Sequence, residues 1–246
     1  MTIQDNILRF ENLAKFDNLV HGFSTKFFGS MLPSQDTDKK SFKHFSEALG
    51  IDPQEIVRMD QVHEKTVYFA REKDRGTTIA ETDGLITNED KVFLSAITAD
   101  CIPLLFYDPK TKSVGVVHAG WRGLFAEIIQ EEISNFIAQG SDVKNILVGV
   151  GPSIRVCCYE VSEKFIKDFG EKFGNVEDFV ERRNGKIFFN LQKVAKQQLL
   201  ALEIAENNIE DADYCTFDHA DVYSCRKEGP GFGEIMGVIG LKLFLD

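Results

Sequence analysis

The hydrophobic positions of the chain follow two rhythms, and their order outlines the fold. Short apolar or β-branched runs bounded by turn residues read as buried strands. Such runs occupy residues 93–97, 102–106, 114–117 and 146–150. Shorter ones lie at 56–59, 66–70, 82–87 and 187–189, and the last two at 214–217 and 235–245. Residues 3–16 read as an edge strand or short packing segment, and 21–29 as a strand ending in a glycine turn. Spacings of three and four predict helices. The first covers 42–49, with Ser41 as N-cap and Gly50 at C′. The second covers 125–139 and is closed by Gly140; the third covers 162–173, with Ser162 as its cap. A fourth over 191–202 presents Leu191, Val194, Ala195, Gln198 and Leu199 on one face and ends at 207–209. Residues 31–40, with Pro33, and 218–234 read as loops. No linker, low-complexity tract or fixed-period repeat interrupts the pattern. It predicts one compact domain over residues 1–246, of mixed strands and helices.

One stretch, 96–123, carries most of the chemistry. The runs at 93–97 and 102–106 flank Thr98, Ala99, Asp100 and Cys101. A turn at Asp108, Pro109, Lys110 and Thr111 leads into the run that ends at His118. Cys101 then sits at a break in one strand and His118 at the end of the next, so hairpin-like pairing brings them close. After His118 come Ala119, Gly120, Trp121, Arg122 and Gly123, where small residues let a backbone approach a ligand. His63 follows Gln61 and Val62 in a turn between strands. Three nitrogen or sulfur donors from three separate loops match an open zinc site, with a fourth position left for water or substrate. They lack the short fixed spacing of a zinc finger or an HExxH helix. The same residues admit plainer readings: a buried small hydrophobe at Cys101 and ordinary core or surface histidines. A third reading makes Cys101 a thiolate nucleophile activated by His118.

Asp100 either orients a ligand imidazole or caps a turn. Arg122 lies near the start of a predicted helix, which attracts anions. Arg226 and Lys227 offer a second anion contact or form a solvated pair. The glycines at 229, 231 and 233 border a pocket or make a plain turn.

Composition narrows the function classes. A hydrophobic fraction of 43% supports a sizeable core. The formal net charge is −11 and basic runs are absent, so neither nucleic acid nor an anionic membrane is an expected partner. No apolar run approaches the roughly 20 residues of a membrane span, and residues 1–16 lack a signal-peptide apolar segment. The expectation is a soluble cytoplasmic protein. The five cysteines, at 101, 157, 158, 215 and 225, form no even disulfide framework. In a reducing compartment they read as free thiols, ligands or nucleophiles. A disulfide between the adjacent Cys157 and Cys158 would be strained.

Seven segments occur in order: HGFST at 21–25, DQVH at 60–63, TDGLIT at 82–87, TADCIPLLFYD at 98–108, VVHAGWRG at 116–123, GVGPSIRVCCYEV at 149–161, and CT…YSCRKEG at 215–229. Together they resemble the YfiH-like family, long labelled polyphenol oxidase or laccase-domain proteins. The likeness runs over nearly the whole chain from His21 onward, and TADC-P and HAGWRG are its specific segments. It implies an α+β fold, a layered sandwich of mixed sheets with flanking helices, distantly similar to the cytotoxic necrotizing factor deamidases. It also implies a metal held by His63, Cys101 and His118, with zinc as the expected ion. Copper could take the same donors, since it outcompetes zinc for nitrogen and sulfur.

By the same resemblance the substrates are purine nucleosides and phosphate. Adenosine, inosine and methylthioadenosine would be cleaved to free base and (methylthio)ribose 1-phosphate, and adenosine deaminated. Cys101 and His118 would be catalytic, with Lys26, Arg122 and Arg226 as anion contacts. A bacterial relative is described as a peptidoglycan-precursor editing hydrolase, which keeps a metal-free Cys–His amidohydrolase as an alternative. A non-catalytic partner-binding member is the third class. Laccase activity is not expected: multicopper oxidation needs a His₂Cys copper and a separate multi-histidine cluster, and the chain has five histidines. The chain departs from the family pattern at Lys26, where arginine is usual. It does so again at Glu64, in place of glycine, at 28–40, which lacks the usual asparagine loop, and at Gly233–Glu234, in place of an arginine. Lysine keeps the charge but loses the bidentate fork for phosphate, and a carboxylate facing the pocket would repel it.

Overall fold

The computed structural model describes all residues except Asn175 and 244–246. Alternation within single strands explains the layering. In Ile102–Asp108, Leu104 and Phe106 point into one hydrophobic cluster while Leu105 and Tyr107 point into another. The same happens in Ser113–Ala119, where Val117 and Ala119 face one side and Val114 and Val116 the other. Both strands are buried along their full length, as period-two side chains require when both faces are covered.

These strands form the middle of a six-stranded sheet, in the order Ile209–Asp211, Leu147–Val150, Ile102–Asp108, Ser113–Ala119, Gly84–Thr87, Val67–Phe69. A seven-stranded sheet runs Thr2–Gln4, Ile7–Arg9, Leu19–Phe23, Ile235–Leu241, Phe93–Thr98, Ile56–Met59, Thr78–Ile79. One cluster, with Leu94 and Ile239 from the larger sheet and Leu105 and Val116 from the smaller, fills the space between them. The outer face of the larger sheet is covered by Lys40–Leu49 through Phe42, Phe45 and Leu49. Helices Ile128–Ala138, Glu163–Phe173 and Leu191–Ala201 cover the outer face of the smaller one. A three-stranded sheet, Glu160–Val161, Lys186–Phe189 and Val180–Arg183, lies beside those helices. The result is the layered α+β sandwich expected.

Four local differences from the sequence reading have physical causes. The runs at 93–97 and 102–106 are not one strand broken at Cys101; they belong to different sheets, and 99–101 is the crossing between them. Ser41 does not cap the first helix. That helix starts at Lys40 after a left-handed Lys39, and Asp36 accepts from the Ser41 and Phe42 amides at 3.0 and 2.9 Å. The helix read over 125–139 is two, Trp121–Phe125 and Ile128–Ala138, parted by Glu127 at φ +66°. Residues 214–217 make only one bridge, Ser153 to Cys215, while the strand is Ile209–Asp211, beside Leu147–Val150. The final strand is Ile235–Leu241; residues 244–245 of its predicted span lie outside the described residues. Ser162 and Gly50 cap as predicted: Phe165 N donates to Ser162 Oγ at 3.2 Å, and Gly50 has φ +72°.

One core residue contradicts the apolar pattern. Glu132, on Ile128–Ala138, is 0% exposed, and neither carboxyl oxygen has a hydrogen-bond partner. A Cβ on Gly115 would lie 2.0 Å from its Oε1, so the strand beneath leaves room only for glycine. Burial pushes the Glu132 carboxyl well above the usual carboxylate range. The folded state therefore keeps a proton that the unfolded chain releases above about pH 4.3. Stability should fall as pH rises beyond that value. Glu132→Gln is expected to abolish this contribution to the slope, because an amide has no proton to release in this range. Urea unfolding in acid and neutral buffers checks it; parallel pH profiles for both proteins would refute it.

Candidate metal centre

The site starts from a carboxylate. Asp83 is fully buried immediately before the strand Gly84–Thr87. Its Oδ2 accepts from Val62 N at 3.1 Å and Glu64 N at 2.8 Å, and its Oδ1 accepts from His63 N at 3.0 Å. Three consecutive amides converge on one side chain because His63 adopts φ +62°, which folds the turn around the carboxylate. Asp83 also holds His118: its carbonyl accepts from His118 N at 2.8 Å, and Oδ1 lies 2.7 Å from His118 Nδ1. A carboxylate only accepts, so the proton sits on Nδ1 and Nε2 is presented outward. One residue thus places both imidazoles, whose rings stand 4.7 Å apart and nearly perpendicular at 84°.

Cys101 arrives from the sheet crossing. Antiparallel pairing of Ile102 with Ala119 and Pro103 with His118 sets it beside the histidine. The ligand atoms of His63, Cys101 and His118 all lie within 4.8 Å of one another. Gly120 makes this approach possible, because a Cβ there would meet Cys101 Sγ at 2.9 Å and His63 Cδ2 at 3.2 Å. Gln61 ties the His63 turn to the strand before the crossing, with Oε1 accepting from Ile97 N and Nε2 donating to Ile97 O, both at 2.9 Å.

Burial alone would push the Cys101 thiol up, but hydrogen bonds from His118 and His63 pull it down to about 7. Burial would lower His118, yet Asp83 and Cys101 together push it up to about 10. Asp83 also resists burial: the His118 contact and the Glu64 and His63 amides hold it below its ordinary value. These directions describe an imidazolium–thiolate pair on a fixed carboxylate. The donors suit a borderline-soft cation: one thiolate, two imidazoles, and a carboxylate fixing one imidazole's tautomer. Their open side faces a cleft of about 740 Å³, within the range of small-molecule sites.

The cleft sorts the anion candidates. Arg122 lines it, its guanidinium 4.5 Å over the Trp121 ring. Arg226 lines it too, donating to Glu160 O at 2.8 Å and lying over Tyr159. Lys26 is not among the lining residues; its Nζ pairs with Glu228 at 2.7 Å, beside Tyr223. Glu234 does face the cleft. Its Oε2 is buried without a partner, and burial pushes the carboxyl up against the opposing pull of His118 and His63.

Asp100 accepts from Thr216 Oγ1 at 2.6 Å and from Arg226 N at 2.7 Å, holding the start of the short helix Cys225–Glu228. The carboxylate that orients an imidazole is therefore Asp83. The sequence reading missed it, along with Gln61 and Tyr159. The TDGLIT segment was visible, but nothing along the chain tells that a carboxylate in it meets amides twenty residues away.

Residues 30–242 match the family model described as multi-copper polyphenol oxidoreductase laccase. The chain is 31% identical over 249 residues to the Bacillus subtilis protein named purine nucleoside phosphorylase YlmD, covering 94% of this chain and 89% of that one. It is 30% identical over 195 residues to a protein named adenosine deaminase RL5, from an unknown prokaryotic organism, covering 75% and 74% of the two. The crystal structure of Bacillus licheniformis YfiH superposes with a TM-score of 0.88 at 27% identity, over 97% of each chain. Sequence and architecture agree, and the chain belongs to the laccase-like YfiH family.

Proposed function

We propose that this chain is a zinc-dependent purine nucleoside enzyme. It cleaves adenosine, inosine or methylthioadenosine with phosphate, and deaminates adenosine. The observation that carries the reading is the convergence of His63, Cys101 and His118 on the floor of a cleft walled by Trp121, Arg122, Tyr159 and Arg226. Flat aromatic faces suit a purine, and guanidiniums suit phosphate. Relatives named purine nucleoside phosphorylase and adenosine deaminase support the same substrate class.

Zinc held by those three residues would supply a Lewis acid at the cleft floor. The rest belongs to the chain. Asp83 keeps a proton on His118 Nδ1, so that Nε2, which faces Cys101, is the nitrogen that would give up its proton to ligate a cation. Arg122 and Arg226 bind and orient the anion. Burial raises the Glu234 carboxyl, which suits it to hand a proton to the departing group; when ionised, it opposes phosphate. With Lys26 engaged by Glu228, the phosphate-dependent share of turnover is expected to be the smaller one.

Liquid chromatography of adenosine incubations tests this directly. Inosine is expected with or without phosphate, and adenine only with it. No product from adenosine, inosine or methylthioadenosine in zinc-loaded protein would overturn the reading. One copper could occupy the same three donors, whereas multicopper phenol oxidation needs a further multi-histidine cluster, and the other three histidines are engaged apart from one another. His21 Nε2 accepts from Phe10 N, His44 packs on Phe27 and Phe28, and His219 stacks on Tyr214.

The lowered Cys101 thiol favours one competing reading: a metal-free amidohydrolase with Cys101 as nucleophile and His118 as base. Stoichiometric alkylation of Cys101 that zinc does not slow would favour that alternative.

A further inference from the structure

Among the described residues, a second group of potential ligands lies outside the cleft lining: Cys157, Cys158, Cys215 and Asp218. We propose that these four side chains form a separate, structural metal centre, taking one thiophilic divalent cation of the zinc class in tetrahedral coordination by three sulfurs and one oxygen.

The distances carry this. Cys157 Sγ lies 3.2 Å from Cys158 Sγ, 3.5 Å from Cys215 Sγ and 3.2 Å from Asp218 Oδ2. Cys158 Sγ lies 3.3 Å from Asp218 Oδ1, and the four ligand atoms all fall within 4.8 Å of one another. Zinc bonds of about 2.3 Å to sulfur and about 2.0–2.2 Å to carboxylate oxygen define a tetrahedron with edges of roughly 3.5–3.8 Å. The three separations from Cys157 Sγ sit a few tenths of an ångström inside those edges, so a cation entering need only spread them slightly. Three thiolates select zinc over the oxygen-seeking magnesium or calcium. Each thiol gives up its proton on binding.

A disulfide is a poorer account of the same cluster. Cys157 faces two sulfurs and a carboxylate at similar distances, so no single pair is singled out. Its adjacent partner Cys158 would make a strained bond. The backbone is also held in place for ligation: Arg183 donates to the carbonyls of both Val156 and Cys157.

The centre would add a clamp between two segments that already meet through the Ser153–Cys215 bridge and the ion pairs of Arg155 with Asp211 and Asp213. Tyr159, next to Cys158, lines the cleft. Thr216, next to Cys215, donates to Asp100 at 2.6 Å, and Asp100 adjoins Cys101. The ion would therefore brace one wall of the candidate active site without touching substrate.

Cobalt(II) titration of full-length Cys101→Ala protein separates the two centres. This variant should bind one cobalt per chain, with thiolate-to-cobalt charge-transfer absorption, and Cys157→Ser in that background should lose the band. Unaltered protein should bind two equivalents. Failure of the cleft centre alone would show as one equivalent in both proteins, with the band intact. Absence of the band from Cys101→Ala overturns the second centre. Alkylation of unaltered protein, mapped by peptide mass, needs no variant to fold. Zinc should protect Cys157, Cys158 and Cys215 severalfold while leaving Cys225 reactive; equal reactivity at all four, or a disulfide among the first three, refutes the proposal.

Discussion

Cys101→Ala is expected to lose the metal of the cleft and to reduce adenosine turnover by about a thousandfold or more. A Lewis acid at a reacting centre contributes several kcal/mol, and each ~1.4 kcal/mol is a factor of ten. The sulfur is the one thiolate among the three donors, so alanine leaves two imidazoles that hold zinc weakly. Cys101→Ser separates metal loss from packing, because it keeps the shape near Gly120 while replacing the soft donor. Both variants should lose zinc together with activity, measured by plasma mass spectrometry and product chromatography. Full turnover in either, or in protein stripped by a chelator, would rule out the metal-dependent reading.

Asp83→Ala is expected to have the largest effect on stability. It removes the acceptor for the Val62, His63 and Glu64 amides and for the His118 imidazole at once. Removing one partner of a buried ion pair costs about 3–5 kcal/mol, and loss of a carboxylate that orients a metal-binding histidine weakens metal affinity by about 10–100-fold. The pH dependence of the metal-free protein gives a second signature. Asp83 has its folded value lowered, so its contribution is present above about pH 3.9 and is lost as pH falls through the folded value. His118 has its folded value raised to about 10. Its contribution is present in full below about pH 6.5 and is lost as pH rises toward that folded value. Both limbs should flatten in Asp83→Ala, read by urea unfolding in the presence of a chelator. Unchanged stability and an unchanged profile would show that the turn and His118 are held by something else.

What the chain made legible and what it hid divide along one line. Fully buried strands such as 102–106 and 114–117 announce themselves because both faces must be apolar. Ile209–Asp211 did not, since one isoleucine beside two carboxylates gives no rhythm to read. The donors His63, Cys101 and His118 stood out by residue type and by the segments around them, and the fold brings them together. Asp83 stayed hidden because its role depends on a left-handed His63 gathering amides that no local pattern links to it. Of the two roles open to Asp100, it is the capping one that the fold assigns, at the start of Cys225–Glu228, while Asp83 orients the imidazole. The crossing at 99–101 was equally invisible, because an apolar run looks the same whichever sheet receives it. Lys26 shows the limit of charge alone: its partner, Glu228, lies two hundred residues on.

The strand Ile235–Leu241 lies between Leu19–Phe23 and Phe93–Thr98. It follows every other described strand along the chain, yet it fills an interior position. Until it emerges, the larger sheet exists as two fragments with raw inner edges, one of them the strand that leads directly to Cys101. Assembly of the floor of the candidate site is thereby deferred until this strand has been made, and the nascent chain must be kept from pairing those edges with its neighbours on the polysome.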